Sequence, residues 1–233
     1  MRIGNYVYML KKYALIVAGG SGSRMNSSIA KQFIELNGKP ILMRTLDTFY
    51  KFDPNFTIIL VLPKEQIYFW QILCEKHHFS VPHQVIAGGE TRFHSVKNGL
   101  AAITTEGIVA IHDGVRPLVS QATISRCLDT AAKWGNAVPC LPIFESVRQI
   151  NNDESAQLDR SQLRIIQTPQ VFSTTLIKSA FEQEFDSAFT DDASVLEKTG
   201  EKIQMVDGNR ENIKITDPLD LVIAEAFLKQ QEN

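Results

Sequence analysis

Four short segments of this sequence concentrate residues that handle phosphate, hydroxyl or metal. The first is Ala18-Gly19-Gly20-Ser21-Gly22-Ser23-Arg24-Met25, followed by Lys31-Gln32. Glycines at 19, 20 and 22 let the backbone approach a ligand closely and aim N–H groups at phosphate oxygens. Arg24 and Lys31 add two positive charges. A dinucleotide fingerprint would need a third glycine where Met25 stands, and a P-loop would need GxxxxGK[ST], whereas Gly38-Lys39 is followed by Pro40. The second segment, Gly88-Gly89-Glu90-Thr91-Arg92-Phe93-His94-Ser95, has backbone groups and a hydroxyl suited to a base edge. Its plainer reading is a turn at Gly88-Gly89 and a helix cap at Thr91. In the third, His112-Asp113-Gly114-Val115-Arg116-Pro117, Asp113 suits a divalent cation or a hydroxyl and Arg116 a phosphate. A surface ion pair between the two is the alternative. The fourth, Asn212 to Pro218, carries Lys214 just before a helix start marked by Asp217 and Pro218. Alone, Lys214 reads as an ordinary surface lysine.

Short β-branched runs alternate with amphipathic segments, which predicts a parallel sheet covered by helices. Strands are expected at Tyr13–Ala18, Thr57–Leu62, Gln84–Ala87, Ile108–His112 and Ala137–Pro142, and helices near Ile41–Tyr50, Glu65–His77, Thr91–Ile103 and Ala122–Trp134. Within Thr91–Ile103, Phe93, Val96, Leu100 and Ile103 recur at spacings of three and four, giving one buried stripe. Open α/β sheets bind ligands at the carboxyl ends of their strands, so the first two segments should face each other across a cleft. After Pro142 the pattern breaks. From Phe144 to Ile166, alternating apolar residues flank a turn-rich stretch at Asn151–Ser155 and predict a long hairpin. A two-stranded ribbon is marginal alone, so this arm should lean on something, a second subunit being a natural candidate. Helices return at about Thr174–Glu184, Asp191–Lys198 and Asp217–Gln230, with a strand near Lys202–Val206. No low-complexity linker divides the chain, so residues 1–233 read as one domain carrying an arm.

The 233 residues, 44% apolar and 21% charged, exclude a disordered tail, a collagen-like rod or a coiled coil. With 24 basic and 26 acidic residues the formal charge is -2, which argues against nucleic-acid or membrane-surface partners, so any polyanion site must be built locally. The three cysteines, Cys74, Cys127 and Cys140, form no CxxC pair and read as small hydrophobes in a reducing compartment. Residues 1–12 hold no apolar run long enough for a signal peptide and no membrane-length stretch occurs, so the expected location is cytoplasmic. This segment reads as a short extension before the first strand, with Met9 as an alternative start.

The four elements together resemble the 2-C-methyl-D-erythritol 4-phosphate cytidylyltransferases of the non-mevalonate isoprenoid pathway, over nearly the whole chain from about Tyr13. The family's AGGxGxRM loop and KQ pair stand at Gly19 to Met25 and Lys31-Gln32. Its GGxxRxxS, HDxxRP, DR, TPQ, TDxAS and NIKxT segments stand at Gly88, His112, Asp159-Arg160, Thr168-Pro169-Gln170, Thr190 to Ser194 and Asn212 to Thr216. Ala30 departs from the family, which often has proline before the lysine; the charge stays in place.

The resemblance implies a Rossmann-like, three-layer nucleotidyltransferase fold with a mostly parallel sheet. It implies transfer of CMP from CTP to the sugar-alcohol phosphate 2-C-methyl-D-erythritol 4-phosphate, with Mg²⁺. By resemblance, Arg24 and Lys31 are catalytic, stabilising charge on the transferring phosphoryl group. Arg160, Lys214, Asp113, Arg116, Ser146 and Thr168 are placed around the acceptor. Ala18, Gly19, Gly20, Gly22, Gly89, Glu90 and Ser95 are placed around CTP. The metal is expected mainly on the CTP phosphates, with Asp113 as an optional ligand. No general base is needed, because a phosphate monoester, with a second pKa of about 6, is already largely dianionic. The arm, by the same resemblance, embraces a second subunit and completes its site, making a homodimer. The alternatives are a ribitol 5-phosphate cytidylyltransferase and, in another class, a non-catalytic nucleotide-binding regulator. The run Thr190 to Ser194 and the Asp159-Arg160 pair favour the methylerythritol enzyme over the first. The presence of Arg24, Lys31, Arg160 and Lys214 disfavours the second.

Overall fold

The structure is a computed structural model that describes residues 10–19 and 29–232. Arg24, Gly20, Gly22 and the start of the chain, Met9 included, lie outside the described residues. Strand β1 (Lys11–Val17) is followed by a small hairpin, β2 (Glu35–Leu36) with β3 (Lys39–Pro40), and by α1 (Ile41–Phe52). Three βα units come next: β4 (Thr57–Leu62) with α2 (Ile67–Lys76), β5 (Gln84–Ala87) with α3 (Arg92–Ala101), and β6 (Gly107–Asp113) with α4 (Gln121–Trp134). They lead into β7 (Asn136–Pro142). The remainder comprises β8 (Arg148–Asn151), β9 (Glu154–Gln157), β10 (Arg164–Ile166), β11 (Gln170–Ser173), α5 (Thr174–Ala180), α6 (Asp192–Glu197), β12 (Met205–Asp207) and α7 (Pro218–Glu232).

Eight strands form the main sheet in the order β7-β11-β6-β1-β4-β5, with β10 and β12 both pairing with β7. β6, β1, β4 and β5 run parallel, while β11 is antiparallel to both β6 and β7. The parallel strands read as continuous apolar runs because helices cover both faces. On one face Leu46 and Phe49 of α1, Trp70 of α2 and Ile124 of α4 pack on Ala14, Ile16 and Leu60. On the other, Phe93 and Val96 of α3, Ile177 of α5 and Leu196 of α6 pack on Leu15, Val17 and Val61. Gly99 brings α3 close to β1, since a Cβ there would lie 2.3 Å from Leu15 Cδ1. α7 closes a smaller cluster with Leu36, Ile41, Val115 and Ile215. Among the described residues no helix is long and apolar enough to cross a membrane.

Four expectations change. β1 begins at Lys11, not Tyr13, because Lys12 is buried against Asp53 with Nζ 2.8 Å from Oδ2. The helix expected to reach Glu184 ends at Ala180. Gln170–Ser173, which the sequence pattern leaves outside the strands, is a buried strand in the middle of the sheet. The Phe144–Ile166 hairpin is divided: only β8 and β9 form the free ribbon, exposed throughout, and β10 returns to pair with β7. The cysteines are free, with Cys127 and Cys140 buried and Cys74 half-buried. Burial pushes the Cys74 thiol up to about 11 and that of Cys127 up to about 12, which leaves them inert as nucleophiles.

The central position of β11 is testable. Phe172 is fully buried between helices and β6, so Phe172→Ala should cost about 3–5 kcal/mol in urea unfolding. A loss under about 1 kcal/mol, typical of a surface segment, would contradict it.

Candidate active site

The carboxyl ends of β1, β5 and β6 open onto a cavity of about 310 Å³. Ala18 and Gly19 of the first segment, Lys31, Gly88, Gly89, Glu90 and Ser95 of the second, Asp113 and Lys214 all line it, so the predicted cleft exists. The loop wall is fixed by Gln32, whose Nε2 donates to the Ala18 carbonyl at 3.1 Å and to Gln66 Oε1 at 2.6 Å. Opposite, the Gly89 N–H donates to Ser95 Oγ at 3.1 Å, which clamps the turn against the first turn of α3. A Cβ on Gly89 would lie 2.5 Å from His94 Cβ, so only glycine fits there. Thr91 does cap α3, its Oγ1 accepting from the His94 N–H at 3.4 Å. The helix cap of the plain reading is thus present, in a segment that also lines the cavity.

At the floor, three cations converge on one carboxylate. Asp113 Oδ2 accepts from Arg116 Nε at 3.1 Å and forms an ion pair with Lys214 Nζ at 3.1 Å, and Arg92 Nε lies 3.8 Å from Oδ1. Burial alone would raise the Asp113 pKa, but Arg92, Lys214 and Arg116 together hold it far below the usual carboxylate range. The anticipated Asp113–Arg116 pair is present but buried, not on the surface. Arg116 is further held by donating from Nη1 to the Asn212 carbonyl at 2.8 Å. Lys214 arrives because the Ile215 N–H donates to the Val115 carbonyl at 3.0 Å, which lays the fourth segment along the third. A second cavity, of about 290 Å³, lies beyond this cluster and is lined by Gln167, Thr168, Gln170, Thr190 and Asp191 together with Arg116. It shares Arg92, Asp113 and Lys214 with the first.

A family model described as IspD, 2-C-methyl-D-erythritol 4-phosphate cytidylyltransferase, matches residues 13–230. The chain belongs to the 2-C-methyl-D-erythritol 4-phosphate cytidylyltransferase family. It is 54% identical over 215 residues to the enzyme of that name from Bacteroides fragilis, covering 92% of this chain and 98% of that one. The Bacteroides thetaiotaomicron enzyme is 51% identical over 219 residues, covering 94% and 100%. Among solved structures, a 4-diphosphocytidyl-2C-methyl-D-erythritol synthase from Anaerococcus prevotii superposes with a TM-score of 0.81 at 31% identity, over 97% of this chain and 99% of that one. The Francisella tularensis cytidylyltransferase gives 0.77 at 30% identity, over 95% and 99%.

Within this cytidylyltransferase, not every residue expected at the site reaches it. Ser146 lies exposed on the arm, and Arg160, in the short turn Arg160–Gln162, donates from Nη1 to the Phe144 carbonyl; neither lines either cavity. Thr168 does line the second cavity, but its hydroxyl is committed. His112 Nε2 lies 2.9 Å from the Arg116 carbonyl, which can only accept, so Nε2 carries the proton and Nδ1 accepts. The Thr168 hydroxyl therefore donates to His112 Nδ1 at 3.0 Å, while Oγ1 accepts from the Asp113 N–H at 3.1 Å. Gln167, Gln170, Thr190 and Asp191 of the second cavity are absent from the expected set, and so are Arg92 and Gln32. Arg92 lines both cavities, and Gln32 holds the first loop; their motifs name them, but their partners, Asp192 and Gln66, are distant in sequence.

His112 gives a pH test. Burial lowers its pKa from 6.5 to about 4, so the unfolded chain takes up the proton first as pH falls. Its contribution is complete above about pH 7 and is lost between about pH 6.5 and 4. Across that window the wild type should lose about 3 kcal/mol more unfolding free energy than His112→Gln, which keeps a donor and an acceptor; equal losses would contradict the assignment.

Proposed function

We infer that this protein transfers CMP from CTP to 2-C-methyl-D-erythritol 4-phosphate, giving 4-diphosphocytidyl-2-C-methyl-D-erythritol and pyrophosphate. The observation that carries the reading is the pair of cavities meeting at Arg92, Asp113 and Lys214. The nucleotide occupies the first, with the base against the Gly88-Gly89 turn, and the acceptor occupies the second. The acceptor phosphate attacks the α-phosphorus in line, and negative charge grows on the equatorial oxygens and the departing pyrophosphate. Lys31 faces that charge from the first cavity, and Arg24 belongs to the same loop by sequence. Lys214, held by Asp113, presents its half-exposed ammonium between the two phosphates. No side chain need accept a proton; His112, with both ring nitrogens engaged, is not used as one.

Mg²⁺ fits as an ion carried on the triphosphate. Among the described residues no group of three or more His, Cys, Asp or Glu side chains could hold a metal, and Asp113 Oδ2 already serves Arg116 and Lys214, so Oδ1 is its open oxygen. When bound, the ion neutralises charge on the β- and γ-phosphates. The homodimer belongs to the same proposal. Phe144, Ile150 and Ile165 leave apolar surface exposed on the arm and its root, and Arg160 and Ser146 stand there outside their own protomer's cavities. A second copy's arm would bring them to the acceptor. The free thiols support a reducing, cytoplasmic setting.

Purified protein with CTP and Mg²⁺ should release pyrophosphate with 2-C-methyl-D-erythritol 4-phosphate at a kcat/KM about 100-fold above that with ribitol 5-phosphate. Preference for ribitol phosphate would overturn the reading. Lys31→Ala or Arg24→Ala should lower kcat by roughly 100-fold or more without unfolding the protein. Mixing equal amounts of Lys31→Ala and Arg160→Ala chains under exchange conditions should restore roughly a quarter of wild-type activity, because half the dimers then carry one intact site. No recovery would refute sharing of Arg160 between subunits.

A further inference from the structure

The TPQ and TDxAS segments both line the second cavity, and behind it they meet at one joint. Gln170 on β11 accepts from the Ala193 N–H through Oε1 at 2.8 Å and donates from Nε2 to Asp191 Oδ2 at 2.6 Å. Asp191 in turn caps α6, its Oδ1 accepting from the Ser194 N–H at 2.9 Å. The first turn of α6 is thereby docked on the sheet with Asp192 facing α3. Asp192, 1% exposed, takes both terminal nitrogens of Arg92 on its two oxygens, each at 2.7 Å. It lines neither cavity, so whatever it does for the reaction passes through Arg92.

Arg92 has two carboxylates within reach. Its terminal nitrogens are spent on Asp192, and its Nε stays 3.8 Å from Asp113 Oδ1, too far for a hydrogen bond. Asp113 is left to Arg116 and Lys214. A half-buried guanidinium deprived of its counter-ion would close on the nearest remaining carboxylate, since a charge that is only partly solvated still favours an ion pair. That carboxylate is Asp113; Arg92 drawn onto Oδ1 would turn the carboxylate and shift Oδ2, the oxygen that sets the Lys214 ammonium at the joint between the cavities.

We propose that Asp192 is a positioning residue for cytidylyl transfer: by holding Arg92 it keeps Asp113 on Lys214, and so governs use of the acceptor phosphate but not of CTP. This rests on the cytidylyl-transfer reading of the site. The Gly88-Gly89 turn is held by the Ser95 hydroxyl whichever partner Arg92 takes, which is why the two substrates should respond differently.

Steady-state kinetics with each substrate varied in turn, on Asp192→Asn, Asp113→Asn, the double variant and Asp192→Glu, tests this. Asp192→Asn should raise KM for 2-C-methyl-D-erythritol 4-phosphate roughly tenfold or more while KM for CTP stays within about threefold. In the Asp113→Asn background the same substitution should change acceptor KM less than about threefold, because Asp113 no longer offers Arg92 a carboxylate and Asp191 is held by Gln170 and the Ser194 N–H. Asp192→Glu, which keeps the charge, should hold the ratio of the two KM values within about threefold of wild type. Equal rises in both KM values, the same effect in both backgrounds, or a Glu variant as shifted as the Asn variant would each overturn the proposal. Wild-type turnover in the same assay checks the functional reading separately, so a defect confined to the variants bears on Asp192 alone.

Discussion

A buried carboxylate is tolerated only where opposite charge and hydrogen bonds compensate its desolvation, and the site of this protein is organised around that requirement at Asp113. The three compensating cations come from three places in the chain: Arg92 from the start of α3, Arg116 from the loop after β6, and Lys214 from the extended run before α7. Holding them around one point requires β5 and β6 to end at the same edge of the sheet. It also requires the 212–216 run to lie beside Val115, as the Ile215 hydrogen bond makes it do. The near-neutral chain thus gathers positive charge where phosphates must go without becoming basic overall.

The antiparallel insertion divides this charge between two cavities. β10 and β11 both run against β7, and the break between them, at Gln167 to Pro169, projects toward the end of β6. There the Thr168 hydroxyl joins the Asp113 N–H to His112, and Asn212 Nδ2 donates to the Thr168 carbonyl at 2.8 Å. These bonds fix the wall of the second cavity to the same strand end that forms the floor of the first. A parallel sheet alone would supply a nucleotide cleft; the reversed strand adds the neighbouring chamber.

Much of this was legible in the sequence, and the exceptions have physical causes. β1, β4 and β6 announce themselves as continuous apolar runs because both of their faces are covered. The first two segments, which follow strand ends where open α/β sheets bind ligands, line one cavity. β11 is not legible in the sequence because Gln-Val-Phe-Ser is short and its burial depends on β6 and β7 enclosing it. Arg92 looked like a motif position only, because Asp192, which gives it meaning, is 100 residues away in sequence. Arg160 reads from the sequence as a residue on the arm, placed at the acceptor only by resemblance, and the structure holds it on the Phe144 carbonyl outside both cavities.

The central claim is that one carboxylate with its three cations forms the seam between a nucleotide chamber and an acceptor chamber. A crystal structure of the protein with 4-diphosphocytidyl-2-C-methyl-D-erythritol tests it most directly. The account predicts the cytidine against Gly88, Gly89 and Ser95, the polyol against Gln167, Thr168 and Gln170, and the diphosphate spanning the seam within reach of Lys214. A product lying wholly in one cavity, or with its diphosphate turned away from Lys214, would contradict it.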